Sequence, residues 1–308
     1  MRLIVASPRG FCAGVDRAIR CVERALDRFG PPVYVLNHIV HNAHVVEELR
    51  ERGAVFIRSL EEVPPGSVLL FSAHGVGPDR WAQARERGLR VIDATCPLVE
   101  KVHNEARRFA EKGYEIILIG EAGHDETIGT MGWVEKDRVH LVQTPEDAEH
   151  VTVTDPRRVA YITQTTLSVE DCARVIAVLK SRFPEIQGPP REDICYATTN
   201  RQTAVLSLAP EADLVLVVGD RESANSTRLR DIARSRGIHS ELISDVSKLD
   251  PAWLEGVETV LVTSGASVPE RLVDGLRAWF VGRYPGCVVE ERVIREEDME
   301  FRLPREIA

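Results

Sequence analysis

The chain has 308 residues, of which 44% are hydrophobic and 28% charged, and its formal net charge is −9 at pH 7. This composition excludes a disordered or low-complexity chain. Binding to nucleic acid or to an anionic membrane needs an excess of Lys and Arg, so the acidic balance argues against both partners. No apolar run reaches the ~18 residues that cross a bilayer, and the first is too short for a secretory signal. We therefore expect a cytoplasmic protein.

Short apolar runs alternate with amphipathic stretches along the chain, which predicts an α/β fold. The runs are continuous, as in parallel strands that are buried on both faces. The predicted strands cover residues 3–6, 33–36, 68–71, 91–93, 116–119, 159–163, 214–218 and 260–263. Among the helices between them, one is predicted to end at Gly30, another to begin at Ser168 and a third to end at Gly237.

Three of the six cysteines share a sequence context: Cys12, Cys96 and Cys195 each follow an apolar run and precede a predicted helix. A polar residue follows each of them 28 or 29 positions later, namely His41, His124 and Ser223. A second polar series, at more variable spacing, consists of His74, Thr165 with Thr166, and Ser267. The pattern predicts three small α/β modules in pseudo-threefold order, at residues 1–96, 97–193 and 194–308, the last with a C-terminal arm.

Each module would place a thiol and two polar groups at the carboxyl ends of parallel strands, where open α/β sheets bind ligands. Packed around a threefold axis, the modules would bring three thiolates to one central point. Three soft ligands suit an iron–sulfur cluster or zinc and leave one metal position open, as catalysis requires. Cys21 and Cys172 lie on apolar helix faces and Cys287 follows a glycine, so these three are interpreted as ordinary cysteines.

The polar residues around this point suit an anion. His41, His74 and His124 are donors to anionic oxygens, and Ser223 and Asn225 open a helix, whose N-terminus binds phosphate groups. Charge-assisted hydrogen bonds there contribute roughly 1.5–3 kcal/mol each.

Glu126 is the carboxylate nearest to this group in sequence, two residues after His124. Burial or a neighbouring negative charge would raise its pKa and make it a general acid.

Eight motifs in order resemble the 4-hydroxy-3-methylbut-2-enyl diphosphate reductase family. They are P-R-G-F-C-A-G-V-D-R-A, H-I-V-H-N, S-A-H-G-V, D-A-T-C-P-L-V, G-T-M-G, Q-T-T-L-S-V, C-Y-A-T-T-N-R-Q and G-A-S-V-P-E. The resemblance covers almost the whole chain. It implies reductive dehydroxylation of the allylic diphosphate to isopentenyl and dimethylallyl diphosphate, in the methylerythritol phosphate route to isoprenoids.

The resemblance also implies roles for individual residues. A [4Fe–4S] cluster with an open iron site would be held by Cys12, Cys96 and Cys195. Glu126 would be the proton donor, with Thr165 and His124 also catalytic and Gln164 bordering the site. The implied substrate-binding residues are His41, His74, His124, Thr165, Thr166, Ser223, Asn225 and Ser267.

Two positions depart from the family's pattern. The usual S-S-N is S-A-N here, so Ala224 lacks a hydroxyl whose hydrogen bond is worth about 1 kcal/mol. The usual H-P-E is H-D-E, and Asp125 is expected to loosen its loop and add a negative charge.

Other functions remain open. The rivals are another three-cysteine cluster enzyme (a dehydratase or a quinolinate-synthase-like enzyme), a zinc hydrolase, and a non-enzymatic redox or phosphate sensor. Because no G-x-G-x-x-G fingerprint follows a strand, electrons are expected from a separate ferredoxin or flavodoxin.

Overall fold

All 308 residues are described by a computed structural model, which confirms an α/β fold built from parallel strand pairs. The strands are β1 (Arg2–Ser7), β2 (Val33–Leu36), β3 (Ala54–Ile57), β4 (Val68–Phe71), β5 (Arg90–Asp93), β6 (Glu115–Ile119), β7 (Val139–Val142), β8 (Val159–Thr163), β9 (Leu214–Val218), β10 (His239–Ile243), β11 (Thr259–Ser264) and β12 (Val288–Val293). The α-helices are α1 (Ala13–Phe29), α2 (Ala43–Glu51), α3 (Pro78–Glu86), α4 (Pro97–Glu111), α5 (Asp125–Met131), α6 (Pro145–His150), α7 (Val169–Arg182), α8 (Tyr196–Leu208), α9 (Ala224–Ser235) and α10 (Glu270–Arg283).

The chain divides into two compact units. The first consists of Met1–Val15, His41–Val45 and Tyr196–Met299, and the second of Asp16–Val40, Val46–Cys195 and Glu300–Ala308. Three parallel sheets are present, as expected for three small modules. The module boundaries at 96 and 193 stay a prediction.

The first unit contains a five-stranded sheet in the order β10-β9-β11-β1-β12. The N-terminal strand pairs with strands from the other end of the chain, because Leu3 lies opposite both Val260 of β11 and Val289 of β12. The carboxyl ends of β1, β9 and β11 therefore share one edge of the sheet. Cys12, Ser223 and Ser267 follow these three ends.

Both faces of this sheet are covered, which explains its uniformly apolar central strands. In β9, Leu214, Leu216 and Val218 pack in one apolar cluster with residues of α10. Val215 and Val217 point to the opposite face, into a cluster formed with residues of α8 and α9.

The second unit contains two sheets, in the orders β3-β2-β4-β5 and β7-β6-β8. In the four-stranded sheet, β4 leads into His74 and β5 leads into Cys96. In the three-stranded sheet, β6 leads into His124 and β8 leads into Thr165. Parallel pairing again puts the carboxyl ends within each sheet at a common edge.

All eight predicted strands are confirmed, and four further strands, β3, β7, β10 and β12, are present. Helix α1 ends at Phe29, where Gly30 adopts a φ of 72° that only glycine adopts without strain. Ser168 caps α7 by accepting a hydrogen bond from the backbone N–H of Asp171. No helix in the chain combines the length and the apolar character needed to span a membrane.

Candidate active site

The three cysteines of the repeat lie directly before helices. Cys12 precedes α1, Cys96 precedes α4 and Cys195 precedes α8, and all three are partly buried. The positive end of a helix dipole stabilises a thiolate, so each cysteine is placed to act as a soft ligand. Cys12 belongs to the first unit, and Cys96 and Cys195 belong to the second.

Cys12 has a defined environment within the first unit. Its backbone N–H donates to the carbonyl of Ala266 at 3.1 Å. Burial raises the pKa of its thiol, but the Arg201 charge and the backbone N–H groups of Val15 and Gly14 act in the opposite direction. These groups stabilise negative charge on the sulfur.

Arg201 is a charged residue whose side chain is entirely buried. Its guanidinium donates to the carbonyl of Gly10 at 2.9 Å and pairs with Glu297 at 3.1 Å. The backbone N–H of Gly10 donates in turn to Ser264 Oγ at 2.8 Å. Arg201 and Ser264 thus hold the loop that carries Cys12, a role that the sequence pattern did not predict.

The start of α9 provides polar groups at the same sheet edge. Ser223 Oγ accepts hydrogen bonds from the backbone N–H of Ser226 at 3.3 Å and from its hydroxyl at 3.0 Å. Asn225 is buried, and neither atom of its side-chain amide has a hydrogen-bond partner. A buried amide without partners is costly, so both of its polar atoms are available to bind a ligand group.

Two glycines let this turn approach the sheet. A Cβ atom on Gly219 would lie 2.3 Å from Ser226 Oγ, and one on Gly265 would lie 2.0 Å from it. Both distances are far shorter than any van der Waals contact, so only glycine fits. Ser267, two residues after Gly265, donates from its hydroxyl to the carbonyl of His41 at 3.0 Å.

Two of the predicted histidines meet in the second unit. The rings of His74 and His124 contact edge to face, with 5.6 Å between their centroids. Asp125 Oδ2 lies 4.0 Å from His74 Nδ1, and Asp125 Oδ1 accepts a hydrogen bond from Asn37 Nδ2 at 3.0 Å. Asp125 is therefore held by contacts on both sides, and its effect on the loop stays a prediction.

Glu126 lies in the first turn of α5, 2% exposed. Its carboxylate accepts two hydrogen bonds from Thr165, from the backbone N–H at 2.7 Å and from the hydroxyl at 2.9 Å. Burial raises the pKa of Glu126 to about 7, with help from the charges of Asp193 and Glu121 and against the two bonds from Thr165. The predicted general acid thus has the buried environment that such a group needs.

Backbone and amide hydrogen bonds connect the rest of this site. The N–H of Cys195 donates to the carbonyl of Thr165 at 3.0 Å. Gln164 Nε2 donates to Thr166 Oγ1 at 3.0 Å, and Gln164 Oε1 accepts from the hydroxyl of Thr127 at 3.2 Å. Glu126, Thr165 and Cys195 are therefore connected in series.

Cys96 is tied in the same way to another predicted residue, because its N–H donates to the carbonyl of Ala73, directly before His74.

The predicted site residues fall into two groups. The first unit brings together Cys12, His41, Ser223, Asn225 and Ser267 around the ends of β1, β9 and β11. The second unit contains His74, Cys96, His124, Glu126, Thr165, Thr166 and Cys195. The meeting of the three thiols at one point stays a prediction.

The remaining cysteines have the ordinary environments predicted for them. Cys21 and Cys172 are buried in apolar surroundings, and burial raises the pKa of Cys21 to about 11 and that of Cys172 to about 12. Both are therefore neutral thiols at physiological pH. Cys287 follows Gly286 at the start of an edge strand.

The sequence matches the LytB protein family over residues 3–280. A curated relative from Acidothermus cellulolyticus is 54% identical over 307 residues, which cover 99% of this chain and 90% of the relative. A relative from Idiomarina loihiensis is 52% identical over 309 residues, which cover 100% of this chain and 98% of the relative. Both carry the name 4-hydroxy-3-methylbut-2-enyl diphosphate reductase.

A solved structure with a related name has the same fold. A structure of the E-1-hydroxy-2-methyl-but-2-enyl-4-diphosphate reductase from Plasmodium falciparum superimposes with a TM-score of 0.96 at 38% sequence identity. The superposition covers 99% of this chain and 96% of the other. The predicted fold class is thereby confirmed for the full chain.

Proposed function

Because the chain belongs to the LytB protein family and is an oxidoreductase of that family, we propose that it reduces 4-hydroxy-3-methylbut-2-enyl diphosphate to isopentenyl and dimethylallyl diphosphate. In this reaction the allylic C–O bond breaks and the hydroxyl leaves as water. Two electrons and two protons are consumed, one proton by the leaving hydroxyl and one by the carbon chain. The observation that carries the proposal is the buried Glu126, hydrogen-bonded to Thr165 next to Cys195.

The resident cofactor that we propose is a [4Fe–4S] cluster on Cys12, Cys96 and Cys195. The residues fit such a group, because each thiol lies at a helix N-terminus, and the Arg201 charge offsets part of the burial that raises the pKa of Cys12. When bound, the cluster supplies electrons one at a time and an iron that acts as a Lewis acid. The electrons would come from an external ferredoxin or flavodoxin.

The polar residues would hold the substrate by its diphosphate and its hydroxyl end. Ser223, Asn225 and Ser267 lie at the anion-binding end of α9 and the neighbouring sheet edge, and we assign them to the diphosphate. His41 and His74 would add donors to the same group, and Thr166 would line the site. The cytoplasmic location stays a prediction.

Glu126 would deliver the proton to the departing hydroxyl. Its carboxyl is hydrogen-bonded to the Thr165 hydroxyl, which can relay the proton outward. His124 caps the same helix, since its Nδ1 accepts the backbone N–H of Glu126 at 3.2 Å. His124 would orient the hydroxyl end of the substrate or pass protons on.

Reductive turnover under strict anaerobiosis tests the proposed function. The full chain, purified anaerobically, is expected to contain about four iron and four sulfide per chain. With reduced methyl viologen as the electron source, it should convert the allylic hydroxy-diphosphate to the two products. A zinc hydrolase would instead work in air without a reductant, and a sensor would bind the diphosphate without turnover. Absence of turnover by the cluster-loaded protein would contradict the proposal.

Replacing Asn225 by alanine tests the diphosphate assignment. Because the buried amide has no partner in the free protein, its removal should leave the melting temperature within about 2 °C of the original. Loss of a charge-assisted hydrogen bond should raise the substrate KM by roughly 10- to 100-fold. Steady-state kinetics and thermal denaturation check both effects. Asn104→Ala, at an exposed position of α4, is the matched control. An unchanged KM in Asn225→Ala would remove this residue from the diphosphate site.

A further inference from the structure

A cluster of Lys101, Asp193 and Glu105 lies next to the proposed site residues of the second unit, with Glu105 Oε2 3.5 Å from Lys101 Nζ. The side chain of Asp193 is completely buried, and its Oδ1 accepts a hydrogen bond from Lys101 Nζ at 2.7 Å. Removing the Asp193 carboxylate from water is expensive, and apolar residues of similar volume often stabilise a fold as well. The ion pair is therefore not explained by its contribution to the stability of the fold, and its position in the fold suggests another role.

The pair joins three segments of the chain. Asp193 Oδ2 accepts the backbone N–H of Thr163, the last residue of β8, at 2.9 Å. Lys101 lies on α4 and also donates to the carbonyls of Arg191 at 2.8 Å and of Glu192 at 3.1 Å. One ammonium and one carboxylate thus fix the end of β8, helix α4 and the segment 191–193 to one another.

Each of these segments carries a residue of the proposed site. Helix α4 begins directly after Cys96, and segment 191–193 leads into Cys195. The end of β8 leads into Thr165, which contacts both Glu126 and the backbone of Cys195. The charge of Asp193 also acts on Glu126, since it contributes after burial to raising the pKa of that carboxyl.

We propose that Asp193, held by Lys101, is a positioning residue that fixes Thr165 relative to Glu126 and Cys195. This inference rests on the proposed function, because it concerns the proton donor of that reaction. Asp193 itself would not touch the substrate. Its two carboxylate oxygens each accept a hydrogen bond from a different segment, and no neutral side chain of the same shape provides two acceptors there.

The test uses Asp193→Asn in the cluster-loaded full chain. Asparagine has one acceptor oxygen, so it can satisfy Thr163 or Lys101 but not both. We expect kcat to fall by roughly 10- to 100-fold, because small displacements of a catalytic group have effects of this size. KM should stay within about threefold, since no contact to the diphosphate is lost. Amide hydrogen exchange in the peptide containing 163–165 should accelerate about tenfold or more.

A second pair of variants guards against a folding defect. Lys101→Met removes the cation from Asp193 and should lower kcat in the same way, and the melting temperature and iron content check that the variant is folded. Lys101→Arg keeps a cation on Asp193 and should restore kcat to within about threefold of the original. The matched control is Glu115→Gln, because Glu115 is also a largely buried carboxylate that binds His140 at 2.9 Å and Thr154 at 2.7 Å. That variant should lose stability but keep its kcat.

The outcomes separate this inference from the proposed function. Unchanged kcat and unchanged exchange at 163–165 in a folded, iron-loaded Asp193→Asn protein would overturn the inference. An equal loss of kcat in Glu115→Gln would also overturn it, because the effect would then be one of general stability. If the unsubstituted protein does not turn over the substrate while exchange at 163–165 still responds to Asp193→Asn, the proposed function fails and the positioning role stands.

Discussion

Replacement of Glu126 by glutamine is expected to lower kcat by roughly 10²- to 10⁴-fold, the range that a general acid contributes. Glutamine has the same shape as the protonated acid. Its carbonyl oxygen can accept the Thr165 N–H, and its amide can donate to the Thr165 hydroxyl, which reverses that hydrogen bond. Iron content and KM should therefore be preserved, because the variant loses only the ability to donate a proton.

Anaerobic kinetics together with iron and sulfide analysis check this result. Glu121→Gln is the control, because it removes a charge that acts on Glu126 but leaves both hydrogen bonds between Glu126 and Thr165 in place. Its kcat should stay within about threefold of the original. Normal turnover in Glu126→Gln would remove this residue from the mechanism, and loss of iron in the same variant would show that its role is structural.

The pH dependence of turnover is an independent test of Glu126 as the proton donor. Burial raises the pKa of Glu126 to about 7, so the carboxyl is mostly protonated below that pH and can donate. The rate should therefore fall as pH rises through about 7, and by about tenfold per pH unit well above it. If the diphosphate binds as proposed, its negative charge would raise this pKa further, and the decline in kcat should then lie at higher pH than the decline in kcat/KM. Glu126→Gln should abolish this decline.

The fold could be predicted largely from the sequence, because central strands of parallel sheets are continuous apolar runs. The four strands that the apolar pattern missed, β3, β7, β10 and β12, all lie at sheet edges. An edge strand pairs on one side only, so it tolerates exposed and charged residues, such as Glu290 and Glu291 in β12. The pairing of β1 with β11 and β12 was also outside the reach of local patterns, because these partners are distant in sequence.

Most of the predicted site residues lie within a few positions of a strand end, and Cys195, which follows an irregular segment after α7, is the exception. Residues that support them from elsewhere were missed. Arg201 lies within a helix and Asp193 within an irregular segment. Arg201 binds the backbone of Gly10, two residues before Cys12, and Asp193 binds the backbone of Thr163, two residues before Thr165. From sequence alone, a charged residue in a helix or an irregular segment is interpreted as a solvated surface residue. Structure was needed to show that both are buried.

Replacing Cys12, Cys96 or Cys195 by serine is expected to remove the cluster and lower turnover by at least about 10³-fold, since a four-iron cluster held by three thiolates has no spare protein ligand. The prediction concerns each cysteine separately, so it tests whether thiols from both units serve one cofactor. Iron and sulfide per chain, the visible spectrum of the anaerobic protein and turnover are the measurements. Stoichiometric zinc without sulfide in the unsubstituted protein would contradict the cluster.

The other three cysteines provide matched controls with the same chemistry. Cys21→Ala and Cys172→Ala should keep iron and turnover, because burial raises the pKa of both thiols to about 11 and about 12 and keeps them neutral. Alanine avoids burying a hydroxyl at these apolar positions, and the cost should be limited to stability, about 1–2 kcal/mol. Cys287→Ser should leave iron content and turnover unchanged. Loss of iron in a folded Cys21→Ala, Cys172→Ala or Cys287→Ser protein would show that the ligand set includes a different thiol. If only the variants of Cys12, Cys96 and Cys195 lose iron, all three thiols are needed to hold one centre.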